Sequence, residues 1–199
     1  MRHAGRRRAL PTLLPVLGLG AVLATGGCGD QDGAASAAPT ARVAAAADCL
    51  APQVLAALHL TPAPGTAASV PPSAKAHADV PAQGSVPDGF VATGALECTP
   101  GGPLVDSAGT WSSVKARRLD GDTTALLAAL GSRAATADAG SCSAEPMDLW
   151  LVDALGRAVR VVVPAGRCER VRTALDGLNL TDATSYPVAL LVASPAPSP

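Results

Sequence analysis

The placement of five cysteines constrains the fold of this 199-residue chain more than any other feature of its sequence. The first, Cys28, ends an apolar N-terminal segment, and the other four are separated by 49, 44 and 26 residues. The chain contains no Cys-x-x-Cys motif, and this wide spacing argues against a zinc site or a redox dithiol. An even number of cysteines in an exported chain instead predicts two disulfides, formed among Cys49, Cys98, Cys142 and Cys168.

The N-terminal segment predicts export followed by lipid attachment. Four arginines within residues 1–8 precede an uncharged apolar stretch from Ala9 to Ala24, and Gly26-Gly27-Cys28 follows it. The stretch is short for a membrane span, which needs about 20 apolar residues, and its flanks are typical of a signal peptide. Small residues before a cysteine resemble a bacterial lipobox. We therefore predict a signal peptide over 1–27 and a lipid-bearing, palmitoylated Cys28 that holds the chain at the extracytoplasmic face of the cell membrane.

One position departs from the lipobox pattern, because Thr25 stands where leucine or valine is usual. The alternative is simple secretion, with cleavage at an alanine-rich site such as Ala35 or Ala38. Both routes export the chain, so both lead to the same disulfide prediction.

Composition argues against several classes of function. The chain has 15 basic and 16 acidic residues, and removal of 1–27 leaves a net charge of -5. A nucleic-acid partner is therefore not expected, since phosphate contacts require a surplus of lysine and arginine. The sequence contains no Gly-x-x-x-x-Gly-Lys-Ser/Thr loop and no Gly-x-Ser-x-Gly elbow, which argues against nucleotide binding and serine hydrolase chemistry. We expect no cofactor and no metal.

Local composition divides the exported chain into a tether, a domain and a tail. Residues 28–47 are rich in Gly, Ala and Ser and predict a flexible tether. Residues 48–193 predict a small domain that contains a proline-rich loop over 61–87. Residues 194–199 predict a disordered tail.

Apolar periodicity within the domain predicts three helices and five strands. The expected segments are a helix capped by Asp48, strands over 90–97 and 111–119, a helix over 123–135, strands over 147–152 and 158–163, a helix over 165–178 and a strand over 186–193. Asp153 to Arg157 reads as a hairpin connection with Gly156 at a positive-φ position. Hairpin connections predict an α+β fold: an antiparallel sheet of about five strands with helices packed on one face, held by disulfides.

Four cysteines allow three pairings, and the predicted elements favour one of them. Cys142 enters the predicted hairpin and Cys168 lies on the helix that follows it, so this pair would clamp helix to hairpin. Cys49 begins the first helix and Cys98 ends the first core strand, so their bond would tie that helix to the sheet. We therefore predict Cys142–Cys168 and Cys49–Cys98.

Three stretches resemble a group of uncharacterised secreted proteins and lipoproteins of high-GC Gram-positive (actinobacterial) bacteria. They are Val86-Pro87-Asp88-Gly89-Phe90 leading to Cys98, Leu119-Asp120-Gly121-Asp122, and LWLVDALGRAVRVVVP over 149–164 with Cys168. The LWLVDA-GRAV segment is the most specific part. Members often carry a Pro-Arg pair after the last cysteine, where this chain has Glu169-Arg170. The resemblance implies a compartment and a fold, and it implies no activity.

Few side chains suggest chemistry. His59 ends the first predicted helix, where a cation complements the helix dipole, and His77 has no acidic or cysteine neighbour at metal-ligand spacing. Asp120 and Asp122 read as turn and cap residues, and Asp153 as a hairpin residue. Other candidate carboxylates are Asp148 and Asp176. Two basic clusters are either an anion-binding face or solvated surface, and the sequence favours solvated surface. They comprise Lys115, Arg117 and Arg118, and Arg157, Arg160, Arg167, Arg170 and Arg172.

The leading functional hypothesis is a non-catalytic, membrane-anchored binding domain that recognises an envelope protein, a wall polymer or a small ligand. The first alternative is an enzyme of unfamiliar type that uses carboxylates and arginines near the Asp153–Arg160 hairpin. The second is an accessory subunit of an envelope complex. A deep pocket with converging charges would favour the enzyme, and a flat apolar patch would favour the accessory subunit.

Overall fold

A six-stranded antiparallel sheet organises the computed structural model, which describes residues 38–60, 77–131 and 145–195. Its strands are β1 (Val43–Ala44), β2 (Gly94–Asp106), β3 (Gly109–Asp120), β4 (Asp148–Val152), β5 (Ala158–Val161) and β6 (Asn179–Ala193). Their spatial order is β1-β5-β4-β2-β3-β6, and every pairing is antiparallel. The predicted α+β class and the antiparallel sheet are confirmed.

Hydrogen bonds between an aspartate carboxylate and nearby backbone N–H groups stabilise the turns of two hairpins. In the β2–β3 turn the Asp106 carboxylate accepts the backbone N–H groups of Ala108 and Gly109. In the β4–β5 turn Asp153 Oδ1 accepts the N–H groups of Leu155 and Arg157, and Gly156 has a φ of +79°. A glycine is favoured there because side chains with a Cβ rarely adopt positive φ. The predicted hairpin connection and its glycine are confirmed.

Helices cover both faces of the sheet, whereas the sequence predicted one face. α2 (Thr124–Leu130) and α3 (Cys168–Asp176) bury Leu126, Leu130, Val171 and Leu175 against one face. α1 (Pro52–Ala57) lies on the other face, where Val54 packs in one cluster with Leu96 and Trp150. The physical reason lies in β4, whose five residues are all buried, so that both of its faces need cover. Within the described residues no helix is long and apolar enough to cross a membrane.

Two segments predicted as a flexible tether and a proline-rich loop contribute residues to the edge of the sheet. Residues 38–47, predicted as the end of the tether, contain β1, which pairs with β5, and Ala41 is buried. Residues 77–87, predicted as the end of the proline-rich loop, form bridges from Gly84 to Val161 and from Ser85 to Thr40. The tether prediction is wrong for residues 38–47, because the edge of β5 offers backbone partners that local composition does not reveal. Residues 77–87 contain no helix or named strand, as a loop requires, and the two bridges attach this loop to its neighbours. Residues 1–37, 61–76, 132–144 and 196–199 lie outside the described residues.

The predicted Cys49–Cys98 disulfide is present and is confirmed. It joins the turn before α1 to the middle of β2, with 5.5 Å between the two Cα atoms. Cys98 is fully buried in the cluster that α1 covers. Cys168 is also disulfide-bonded. Its predicted partner Cys142 lies outside the described residues, so that pairing stays a prediction.

Candidate functional site

A cleft of about 590 Å³ lies between α3 and the face of the β2–β3 hairpin that α3 covers. We call it the charged cleft, since six ionisable residues line it: Glu97, Lys115, Arg117, Glu145, Arg172 and Asp176. Glu97 pairs with Arg117 across β2 and β3, and the next pair on the same face is Thr99 with Lys115. The last β2–β4 pair is Cys98 with Asp148, so the sheet narrows at this point and leaves room for the cleft.

Glu97 is the buried charged group of the cleft, with 5% of its surface exposed. Arg117 Nη1 donates a hydrogen bond of 2.9 Å to Glu97 Oε2. Among the described residues no group donates a hydrogen bond to the other carboxylate oxygen, Oε1. Glu97 lines the cleft, and 7% of its side chain is exposed. Burial raises the pKa of the Glu97 carboxyl, and this effect outweighs the opposing attraction of Arg117.

The remaining charges are held more loosely and lie nearer the solvent. Arg117 Nη2 is 3.8 Å from Asp176 Oδ1, and Arg172 Nη2 donates to the backbone carbonyl of Glu145 at 2.9 Å. The Asp176 and Glu145 side chains are 72% and 77% exposed. Lys115 is exposed and forms no ion pair with any described residue. The cleft thus combines three acidic with three basic groups, of which Glu97 is the buried acid and Lys115 is the basic group without an ion pair to a described residue.

A β-bulge in β2 forms one rim of the cleft, at Gly101 and Gly102. The fully buried Ser113 opposite donates its hydroxyl hydrogen to the Gly102 carbonyl at 2.6 Å. A Cβ added to Gly101 would lie 2.2 Å from Ser113 Oγ, whereas a Cβ on Gly102 would meet nothing within 4 Å. The bulge therefore requires a glycine at 101 and tolerates a side chain at 102.

Gly101→Ala is expected to lower the free energy of unfolding by about 1–3 kcal/mol, since it displaces a buried hydroxyl and breaks its hydrogen bond. Gly102→Ala, the matched control, is expected to change stability by no more than about 0.5 kcal/mol. Urea denaturation of both variants checks this difference. Equal stabilities would contradict the described rim.

The structure does not bring the predicted Asp153–Arg160 group together as one site. Asp153 stabilises its own turn, and its Oδ2 accepts from Arg157 Nε at 2.7 Å. Burial opposes ionisation of Asp153, but Arg157 and the turn's N–H groups outweigh it and lower the pKa. Arg160 lies in the interior instead, on the α1 face, where its Nε is 3.0 Å from both oxygens of Asp148. The oxygens of both carboxylates are therefore occupied.

The first basic cluster is divided between two faces of β3. Lys115 and Arg117 line the charged cleft with Arg172, while Arg118 points to the opposite face beside Asp182 and Tyr186. Glu97 was not among the predicted site residues. The available signal was a glutamate inside an otherwise apolar strand, and its register with Arg117 depends on the β2–β3 turn, which the predicted strands left undefined.

His77 has an acidic partner that the sequence reading missed. Its Nδ1 lies 2.6 Å from Asp48 Oδ2, although 29 residues separate the two. Asp48 Oδ1 accepts the backbone N–H of Leu50, and the N-cap position of α1 belongs to Ala51. The predicted capping role of Asp48 is therefore wrong. Asp122 accepts the N–H of Thr124 in the turn before α2, but the N-cap position belongs to Thr123, so the predicted capping role of Asp122 is also wrong.

Within the described ranges, no three His, Cys, Asp or Glu side chains converge as a metal site requires. No family model matches this chain, and comparisons with curated proteins and with solved structures find no match. The resemblance to actinobacterial secreted proteins stays a prediction. Functional inference therefore depends on the geometry of the charged cleft.

Proposed function

We propose that this chain is a lipid-anchored extracytoplasmic protein whose domain binds a charged ligand in the charged cleft and does not transform it. The observation that carries the proposal is the Glu97 carboxylate, which is buried, lines a cleft of about 590 Å³ and accepts a hydrogen bond from the described residues at Oε2 only. Pockets for small ligands span roughly 300–1,000 Å³ and use a few well-placed polar groups. The ligand is a small molecule or a charged group of a wall polymer or envelope protein.

Comparison with the buried carboxylate of Asp148 supports a binding role for Glu97. Asp148 is fully buried, and both of its oxygens accept hydrogen bonds from Arg160, with a further bond from Gln83 to Oδ2. That arrangement is expected of a structural ion pair, since a buried charge is costly unless it is fully paired. Glu97 is left with half of its bonding capacity unused, and a ligand donor in the cleft would complete it.

The proposed lipid anchor is inferred from the N-terminal signal sequence and Cys28. The described residues begin at Ala38, ten positions after Cys28. Ten residues span at most about 36 Å. The proposed anchor would therefore hold the domain close to the membrane surface, where an envelope ligand is presented.

Wild-type protein is expected to partition into the detergent phase of Triton X-114, since two or three acyl chains give stable membrane association. Cys28→Ser removes the lipidated thiol and should leave the protein unprocessed or move it to the aqueous phase. Ser107→Ala, at an exposed position in the β2–β3 turn outside the lipobox, is the control and should partition as the wild type does. Wild-type protein in the aqueous phase would contradict the anchor and favour simple secretion.

A further inference from the structure

We infer that the charged cleft selects a short zwitterion, a ligand that carries an ammonium group and a carboxylate as a small peptide does. This inference deepens the proposed function and rests on it. It assigns the ligand ammonium to Glu97 Oε1 and the ligand carboxylate to the Lys115 ammonium.

The charge balance of the cleft is the first argument. Three acidic and three basic groups line it, so a purely cationic or purely anionic ligand meets as many like charges as opposite ones. A zwitterion can place each of its charges beside an opposite partner. Among the cleft arginines, Arg117 is already bonded to Glu97 and Arg172 to the Glu145 carbonyl. We assign the acceptor role to Glu97, the buried acid of the cleft, and the donor role to Lys115, the basic residue that forms no ion pair with a described residue.

The spacing of these two groups is the second argument. Glu97 pairs with Arg117, and Lys115 lies two residues further along β3 on the same face. Diagonal neighbours of this kind are about 7–8 Å apart on an antiparallel sheet. The Lys115 ammonium is exposed and lies at the end of a flexible four-carbon side chain, so it can move away from Glu97 and admit a short ligand between the two charged groups.

The lining residues of the charged cleft do not favour larger planar ligands. The cleft contains no aromatic side chain among its described lining residues, so a base or a sugar ring has no stacking surface there. Its volume of about 590 Å³ suits a compact polar molecule.

Isothermal titration calorimetry on the full mature chain in detergent, with three matched probes, tests the inference. The probes are glycylglycine, N-acetylglycylglycine, which lacks the ammonium, and glycylglycinamide, which lacks the carboxylate. We expect glycylglycine to bind at least tenfold more tightly than either capped form. Glu97→Gln and Lys115→Gln should each lower glycylglycine affinity at least tenfold. Arg118→Gln, which removes a charge from the opposite face of β3, should leave it unchanged.

Each other outcome overturns a defined part of the account. If one capped form binds as tightly as glycylglycine and Glu97→Gln or Lys115→Gln weakens it, the cleft binds a ligand of single charge. The zwitterion inference is then overturned and the proposed binding function stands. If none of the three probes binds at 10 mM, the zwitterion inference is overturned. Lys115 is exposed, so Lys115→Gln keeps the test decisive even if Glu97→Gln does not fold.

Discussion

Arg160→Met is expected to lower the free energy of unfolding by about 3–5 kcal/mol, a large share of the stability of a small domain. Arg160 is 5% exposed and Asp148 is fully buried, and the substitution leaves Asp148 without its counter-ion. Arg160 Nη2 also donates to the Gln53 carbonyl at 3.0 Å, so the connection from β5 to α1 is lost as well. Chemical denaturation monitored by circular dichroism measures the change.

Two further variants test whether loss of the buried Asp148–Arg160 ion pair causes the expected decrease in the free energy of unfolding. Arg157→Met removes the arginine of the Asp153 pair, whose guanidinium side chain is 56% exposed, and should cost only about 0–1 kcal/mol. The double variant Asp148→Leu/Arg160→Met removes both buried charges and should be more stable than Arg160→Met alone. A loss below about 1 kcal/mol for Arg160→Met would contradict the described ion pair.

Removal of the Cys49–Cys98 bond is the second change with a large expected effect. The two residues are 49 positions apart, and in the chain-entropy model a loop of this length contributes about 4 kcal/mol. Cys49→Ala/Cys98→Ala should therefore lower the melting temperature strongly. α1 should lose protection before β2 and β3 do, because α1 is a six-residue helix that depends on its attachment to the sheet.

Hydrogen exchange measured by mass spectrometry on the double variant resolves that order. Peptides over 50–60 should exchange faster than in the wild type, while peptides over 109–120 should keep their protection. The structure would be contradicted by unchanged exchange over 50–60 or by an unchanged melting temperature.

The β4–β5 hairpin could be predicted because short-range chemistry defines its turn. Asp153 and Gly156 mark the β4–β5 turn within five residues, and the structure places both in the roles expected of them. The start of β6 was missed, since Asn179 to Ser185 is polar and does not alternate. Those residues pair because β3 continues opposite them as far as Asp120.

The parts that could not be predicted depend on contacts distant in sequence. β1 has only two residues and Gly84 has no side chain, and both pair with the backbone of β5. The His77–Asp48 contact joins a residue within the predicted proline-rich loop to a residue that precedes the loop. Glu97 faces Arg117 through a register that only the complete β2–β3 hairpin defines. Composition and periodicity describe single segments of the chain, whereas the charged cleft is formed by contacts between segments that are distant in the sequence.

The central claim is that Glu97 is a buried carboxylate that lines a binding cleft. Carbon-13 NMR of the Glu97 side-chain carboxyl, assigned with Glu97→Gln and followed through a pH titration, tests it most directly. The account predicts a titration midpoint above the ordinary glutamate pKa of 4.5, because burial disfavours the charged form. It also predicts that the pKa falls when glycylglycine is present, because a ligand ammonium favours the ionised carboxylate. A midpoint at or below 4.5 that glycylglycine leaves unchanged would contradict the account.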